Sequence, residues 1–507
     1  MGFINFLLAA SPIIAVLVGI LALKKPAMKV APVALVWTLV LAFSYFNVTG
    51  LSFHDNVAAY DALLWKGIKE GLKIVAMVFG AFVILNTLKK TGAIDDVKNT
   101  VAKISGDRRV QVIIIGLMIP IFLEGAAGAG APAAIAAPFL VALGFDPITA
   151  IAVALLGDAT PCSWGGAGLT TITGGAALVD AGVSTTALNS AMVGRIHMFG
   201  VLIIPFLMIA LAFGRKGFKG IVPYLLYAGA TAGGVMFLLS NFVGPEITSM
   251  GTGLISILLS ILYVKLVPIR TPEEYRYTFP ESAKQHYSPF RALSPYLYML
   301  ILLPVIRYTV PLKILTTFGY IVWVDCVIFF CAILGALTLG VRAKEFSAIC
   351  GETCKNVLPV LVTMGSLLVV SYVMQSSNTG MMSRIAGGIA GVAGIFYPAA
   401  AVFIGSLGSF ITGTGLGSNI MFANMHMEAA QALGMNPITV FAGQNAGASL
   451  GNLICPNNTV AACATVGQVG NEAKVMKKTM KAFAVILVLY MILATFYTLV
   501  LFPNFGL

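Results

Sequence analysis

Apolar runs long enough to cross a lipid bilayer recur along the whole of this sequence, and that feature decides its class of fold. A helix crossing the hydrocarbon core needs about 20 predominantly apolar residues. Phe3 to Leu23, the stretch around Leu202 to Phe213, and Ala482 to Phe502 are such runs, and about a dozen can be traced. Only 10% of the 507 residues are charged and 59% are hydrophobic, whereas about 25% are charged in soluble domains. The reading is an all-α polytopic membrane protein embedded in a lipid bilayer. The first run follows Met1 and Gly2 directly, with no basic leader and no small-residue cleavage site, and Lys24 and Lys25 close it. It is expected to be a retained helix.

Other classes are disfavoured on the same page. The net charge of +12 is spread over loops rather than gathered in a basic domain, so no nucleic-acid partner is expected. Seven cysteines are scattered, and only Cys350 and Cys354 share a helical spacing, with no histidine near, so neither a disulfide nor a metal site is expected. Gly447 to Gly451 matches G-x-S-x-G around Ser449, but no strand precedes it and the four histidines show no matching arrangement. The glycines at 413, 415 and 417 lack the setting of a nucleotide fingerprint. The chain is read as a non-enzyme without a cofactor.

Basic residues fall into six clusters: Lys24 to Lys29, Lys89 to Arg109, Arg215 to Lys219, Lys265 to Arg291, Arg342 to Lys355, and Lys474 to Lys481. The positive-inside rule places all six in the cytoplasm, which makes the number of crossings between neighbours even. That parity is met by twelve full spans plus two re-entrant hairpins, with both termini outside. A second signal supports the hairpins. Leu143 to Thr149 reads LGFDPIT and Leu433 to Thr439 reads LGMNPIT, five identities in seven at an offset of 290 residues. At that offset Ile121 faces Ile411, Gly125 faces Gly415 and Gly157 faces Gly447. An odd number of crossings between the copies makes the repeats inverted, as in secondary transporters. The expected division is 1–69, N-terminal helices; 70–240, first repeat, with hairpin 109–144 and broken helix 147–178; 241–356, central scaffold with cytoplasmic loop 268–291; and 357–507, second repeat and final helix, with hairpin 396–433 and broken helix 437–467.

Glu124 opens a run, Gly125 to Pro138, in which every residue but Ile135 is Gly, Ala or Pro. Core helices normally use larger side chains. A bare backbone suits half-helices that bring exposed ends to a ligand, a state tolerated at membrane depth only where it lines a cavity or is buried in protein. Prolines also break the chain at Pro161 to Gly166 and at Cys455 to Thr459. Two hairpin tips and two breaks converge, and their helix N-termini suit a small anion.

Four segments carry a resemblance: EGAAGAGAPAAIAAP (Glu124 to Pro138), ATPCSWGGAG (Ala159 to Gly168), GSLGSFITGTGLGSN (Gly405 to Asn419) and NNTVAACATVG (Asn457 to Gly467). Together they resemble the L-lactate permease family, which includes glycolate permeases. The resemblance covers most of the chain. It implies uptake of L-lactate, glycolate or related 2-hydroxy monocarboxylates across a bacterial-type inner membrane, coupled to protons.

Candidate residues follow. Glu124 and Asp158 are embedded acids whose counterparts in the second copy are Thr414 and Ala448. They are candidates for proton coupling; the alternative is a helix cap or an ion pair with Arg195 or His197. Arg195 could hold a substrate carboxylate or snorkel to the outer interface, and His197 and His426 are possible accessory groups or hydrogen-bonded packing residues. Gly125, Gly128 and Gly130 would line the substrate. Ser163, Thr170, Thr171, Ser418, Asn419, Asn457, Asn458 and Thr459 are neutral donors and acceptors at the breaks, able to read a carboxylate and hydroxyl or only to satisfy loosened backbone. An intramembrane enzyme using Ser449 or Asp158 and a passive channel are the alternatives outside the transporter class. Within it, sodium coupling through Asn419, Asn457 and Thr459 is the rival to protons.

Overall fold

The structure, a computed structural model, describes residues 3–23, 25–46, 52–93, 104–126, 131–277, 286–311 and 320–506, with residues 96, 128, 314 and 317. It is helical throughout; the described residues contain no strand beyond an isolated bridge between Asp107 and Arg276. The helices are α1 (Phe3–Leu17), α2 (Ala27–Ser44), α3 (Phe53–Thr91), α4 (Arg108–Ile113), α5 (Ile119–Ala126), α6 (Ala131–Ala142), α7 (Pro147–Gly157), α8 (Gly165–Gly174), α9 (Ala176–Asp180), α10 (Thr186–Phe213), α11 (Val222–Phe242) and α12 (Pro245–Leu266). There follow α13 (Pro289–Thr309), α14 (Tyr320–Thr338), α15 (Ala343–Gln375), α16 (Met381–Ala393), α17 (Tyr397–Thr412), α18 (Gly415–Ala432), α19 (Pro437–Gly451), α20 (Pro456–Thr465) and α21 (Glu472–Phe496).

Among the described residues six helical stretches are long and apolar enough to cross a membrane by length and composition: Ala27–Ser44, Thr186–Phe213, Val222–Phe242, Pro245–Leu266, Gly391–Thr412 and Glu472–Leu501. Several other apolar runs are divided, as in α4 to α6 and α7 to α8. Large aliphatic side chains point outward on the long helices, for example Val33, Leu226, Leu258 and Ile492. The inward face of α12 carries Thr248, Ser249, Thr252, Gly253 and Ser256 instead. That inside-out distribution suits lipid, where small and hydroxyl residues let helices approach closely.

The matched heptapeptides do the same job twice. Asp146 and Asn436 are N-caps whose side chains accept from Thr149 N and Ile438 N, each followed by proline at the first helical position of α7 or α19. Both helices then break, at the 3₁₀ turns Pro161–Trp164 and Asn452–Ile454, before α8 and α20 resume. The second break therefore precedes Pro456, which starts α20, so Asn457, Asn458 and Thr459 lie in a helical first turn rather than in the break.

Packing is reciprocal at the same offset. α8 lies on α18 and α20 on α6; α10 lies on α19 and α21 on α7. Two residues meet their own counterparts: Asn452 Nδ2 is 2.6 Å from Cys162 Sγ, 290 residues away, and a Cβ at Gly200 would collide with Tyr490 Oη.

Arg109 corrects one assumption about the loop charges. It is fully buried rather than solvated, forked onto Asp107 through Nε (3.0 Å) and Nη2 (2.6 Å) and donating to the carbonyls of Gly217, Lys219 and Arg270. One guanidinium so ties the start of α4 to the loop after α10 and the loop after α12.

Candidate functional site

The ends of α5 and α7 and the start of α8 bring two carboxyls together. Glu124, in the last turn of α5, and Asp158, at the C-cap of α7, are each 1% exposed, and their side chains are immediate electrostatic neighbours. The Glu124 carboxylate lies over the first residue of α8, so close that a Cβ at Gly165 would collide with Oε1. The positive end of that helix faces it. Neither Asp158 oxygen accepts from a described amide or hydroxyl, its hydrogen-bonding neighbour is the Glu124 carboxyl, and no described cation forms an ion pair with it. The Cys162 thiol faces both carboxyls and takes a backbone bond from Gly415 at the start of α18. The site therefore joins both halves of the chain.

Ser163 and His197 are also brought together. Ser163 Oγ is 2.8 Å from His197 Nε2 and donates to the Asn445 carbonyl, while His197 Nδ1 is 2.7 Å from Tyr490 Oη. Because Ser163 Oγ is the donor to Asn445 O, it accepts from His197 Nε2–H. Thr171 joins by donating to Ser163 O (2.6 Å) and accepting from Asn445 Nδ2 (2.8 Å).

A second closed chain runs through His426. Its Nδ1 is 2.8 Å from Tyr397 Oη and its Nε2 is 2.9 Å from Gln444 Oε1; Gln444 Nε2 then donates to Ser418 (3.0 Å) and Asn419 (3.4 Å). Ser418 donates to Gly405 O, and Asn419 to Thr170 O at 3.3 Å, across the α8–α18 contact. Both histidines thus have their two nitrogens occupied.

The remaining candidates separate. Arg195 stands apart, half-buried with its guanidinium over Phe237, Phe502 and Phe505, and it pairs with neither acid. Asn457 has a buried Oδ1 without a partner and lines a narrow pocket of about 310 Å³ with Pro456 and Ile411. Asn458 reaches only Asn452 O, at 3.5 Å, and Thr459 bonds back to Cys455 O. Gly125 is bare because α12 needs the space: a Cβ there would strike Met250 N. Gly128 has φ +70° and would bring a Cβ to 2.9 Å from Gly166 N, so glycine is required by both conformation and contact. Gly130 lies outside the described residues. Among the described residues no group of histidine, cysteine and acidic side chains could hold a metal ion.

Cys162, Gln444, Asn445 and Tyr490 were not singled out from sequence. α19 is buried on every side, and its adjacent Gln444 and Asn445 serve one network each. A polar pair inside an all-round buried helix is the signal that pointed to them.

Comparison with known proteins bears on the whole chain. The family model described as L-lactate permease matches residues 5–327 and 299–502. The L-lactate permease of Salmonella typhimurium is 28% identical over 531 residues, covering 94% of this chain and 93% of that protein. The glycolate permease of Escherichia coli (strain K12) is 26% identical over 533 residues, covering 94% and 93%. Among solved structures, the Alcanivorax borkumensis YdaH transporter aligns over 92% of this chain and 98% of its own, at 13% identity and a TM-score of 0.39, too distant to carry an argument. Matched by one family model over nearly its full length, and built of buried polar helices inside an apolar shell, the chain belongs to the L-lactate permease family of multi-pass membrane transport proteins.

Proposed function

We propose that this protein takes up L-lactate, glycolate or a related 2-hydroxy monocarboxylate by proton symport, with Glu124 and Asp158 as the proton-carrying pair. The permease relatives support the substrate class. The observation that carries the coupling is Asp158: a buried acid that accepts from no described amide or hydroxyl and whose hydrogen-bonding neighbour is a second buried acid. Two such groups repel when both are ionised, and a shared proton removes that cost. Ser163, Thr170, Thr171, Ser418, Asn419, Asn457 and Asn458, with Gly125, Gly128 and Gly130, frame the proposed substrate region between the hairpin tips and the breaks. His197 and His426 act there as packing groups, and Arg195 packs apart from them on Phe237, Phe502 and Phe505.

The proposed frame is an inverted repeat with twelve complete spans, two re-entrant hairpins and both termini outside. Residues on a two-fold axis touch their own counterparts, so the Cys162–Asn452 and Gly200–Tyr490 contacts support such an axis. The repeats would be 70–240 and 357–507, around scaffold residues 241–356.

Uptake of radiolabelled lactate and glycolate into proteoliposomes, under an imposed pH gradient with and without sodium, tests the reading. Accumulation that follows the pH gradient in sodium-free buffer is expected. Accumulation that needs sodium and ignores pH would replace the proton by a sodium ion.

A further inference from the structure

A groove of about 260 Å³ runs between the first hairpin and two scaffold helices. Ile115, Ile119 and Phe139 form one wall, Ile257 and Ile261 of α12 a second, and Leu297 of α13 the third. The lining presents apolar surface throughout; its polar residues are Tyr296 and, where the first hairpin begins, Ser105 and Gln111. Gln111 is 1% exposed; its Nε2 donates to Ser105 O and its Oε1 has no partner. At membrane depth the molecule available to fill an apolar cleft of this kind is a hydrocarbon chain.

The Ser105 end of the groove has charge beside it. Arg276 lies in the segment bridged to Asp107, two residues from Ser105, and Arg291 sits in the first turn of α13, two residues before the groove-lining Leu293. Neither arginine pairs with a described carboxylate. Arg291 is anchored by two bonds to Thr338 O and lies over the Tyr287 ring, contacts that hold its guanidinium without a described carboxylate paired to it.

We propose that this groove binds one acyl chain of an anionic phospholipid, whose phosphate lies at Arg276 and Arg291. Such a lipid would be a wedge between the first hairpin and the scaffold. The inference is independent of the transported substrate and of the coupling ion.

The test is photo-crosslinking of the full chain in nanodiscs, using phosphatidylglycerol or phosphatidylcholine probes that carry a diazirine on the acyl chain, with adducts mapped by mass spectrometry. The phosphatidylglycerol probe should label peptides around 111–119 and 257–261 more heavily than the lipid-facing surface of α11 around Leu226. Unlabelled phosphatidylglycerol should displace it at lower concentration than phosphatidylcholine does. Removing each arginine charge, in Arg276→Gln and Arg291→Gln, should cut the headgroup preference about fivefold. Ile261→Trp, which fills the groove, should abolish labelling there while labelling at α11 persists. Labelling no heavier than at α11, or equal displacement by both lipids in the unaltered protein, would overturn the proposal whether or not the tryptophan variant folds.

Discussion

Asp158→Asn should separate substrate exchange from proton-driven accumulation. The substitution keeps the volume of the side chain and removes its charge. The hydrogen-bonding neighbour at stake is the Glu124 carboxyl, to which the new amide can still donate, and the change relieves repulsion with Glu124. Folded stability should therefore hold or rise, in contrast to the 3–5 kcal/mol loss usual when one partner of a buried ion pair is removed. The functional magnitude is set by the gradient. A monoanion moving with one proton carries no net charge, so one pH unit supplies about 1.4 kcal/mol, or tenfold accumulation, and the membrane potential contributes nothing. With two protons, each 100 mV would add about 2.3 kcal/mol. In vesicles the variant should exchange internal for external lactate in counterflow, yet show no accumulation under a pH gradient. Glu124→Gln and the double variant belong in the same assay, since either member could hold the proton. Full tenfold accumulation per pH unit by both single variants and the double variant would refute the reasoning.

Arg109→Met should destabilise the protein by about 3–5 kcal/mol, read from denaturation midpoints in detergent, because it strands buried Asp107 and three carbonyls; Arg109→Lys should not restore stability, lacking the planar fork. Gly157→Ala should cost about 1–3 kcal/mol, since the added methyl would meet Gly116 O where α7 crosses the first hairpin; an unchanged midpoint would show that the crossing gives way. Gln444→Leu should lower stability by about 1–3 kcal/mol by stranding His426 Nε2–H, while pH-driven accumulation persists; loss of coupling without loss of stability would make His426 a proton relay instead.

The sequence was most informative where local chemistry repeats. LGFDPIT and LGMNPIT were legible because a cap, a proline and a helix start are encoded within a few residues, and α7 and α19 begin there. The apolar runs likewise announced helices. What stayed hidden were partnerships made only by the fold. His197 meets Tyr490 from 293 residues away and Asn445 meets Thr171 from 274, and no local pattern marks such pairs. Gly125 shows the same limit in another form: a bare residue reads identically whether it makes room for a ligand or for the backbone of Met250. Arg109 reads as one more loop cation, and only its buried fork with Asp107 distinguishes it.

The two proposed repeats share a frame and differ in chemistry. In the first, Gly165 leaves room for the Glu124 carboxylate at the start of α8, and Asp158 stands beside it. In the second, Cys455 occupies the place of Gly165, Thr414 that of Glu124 and Ala448 that of Asp158. Thr414 turns back to cap its own helix, accepting from Gly417 N, and the Cys455 thiol takes backbone bonds from Asn457 and Asn458. Both half-helix starts are therefore filled, but only one by an acid. In the proposed repeats the carboxyl pair therefore stands at one half-helix start and not at its counterpart. Two adjacent carboxyls in a buried site share one proton at less cost than they bear none. Under the proposed symport, one pair per chain predicts one proton per cycle, and accumulation that follows the pH gradient without responding to voltage.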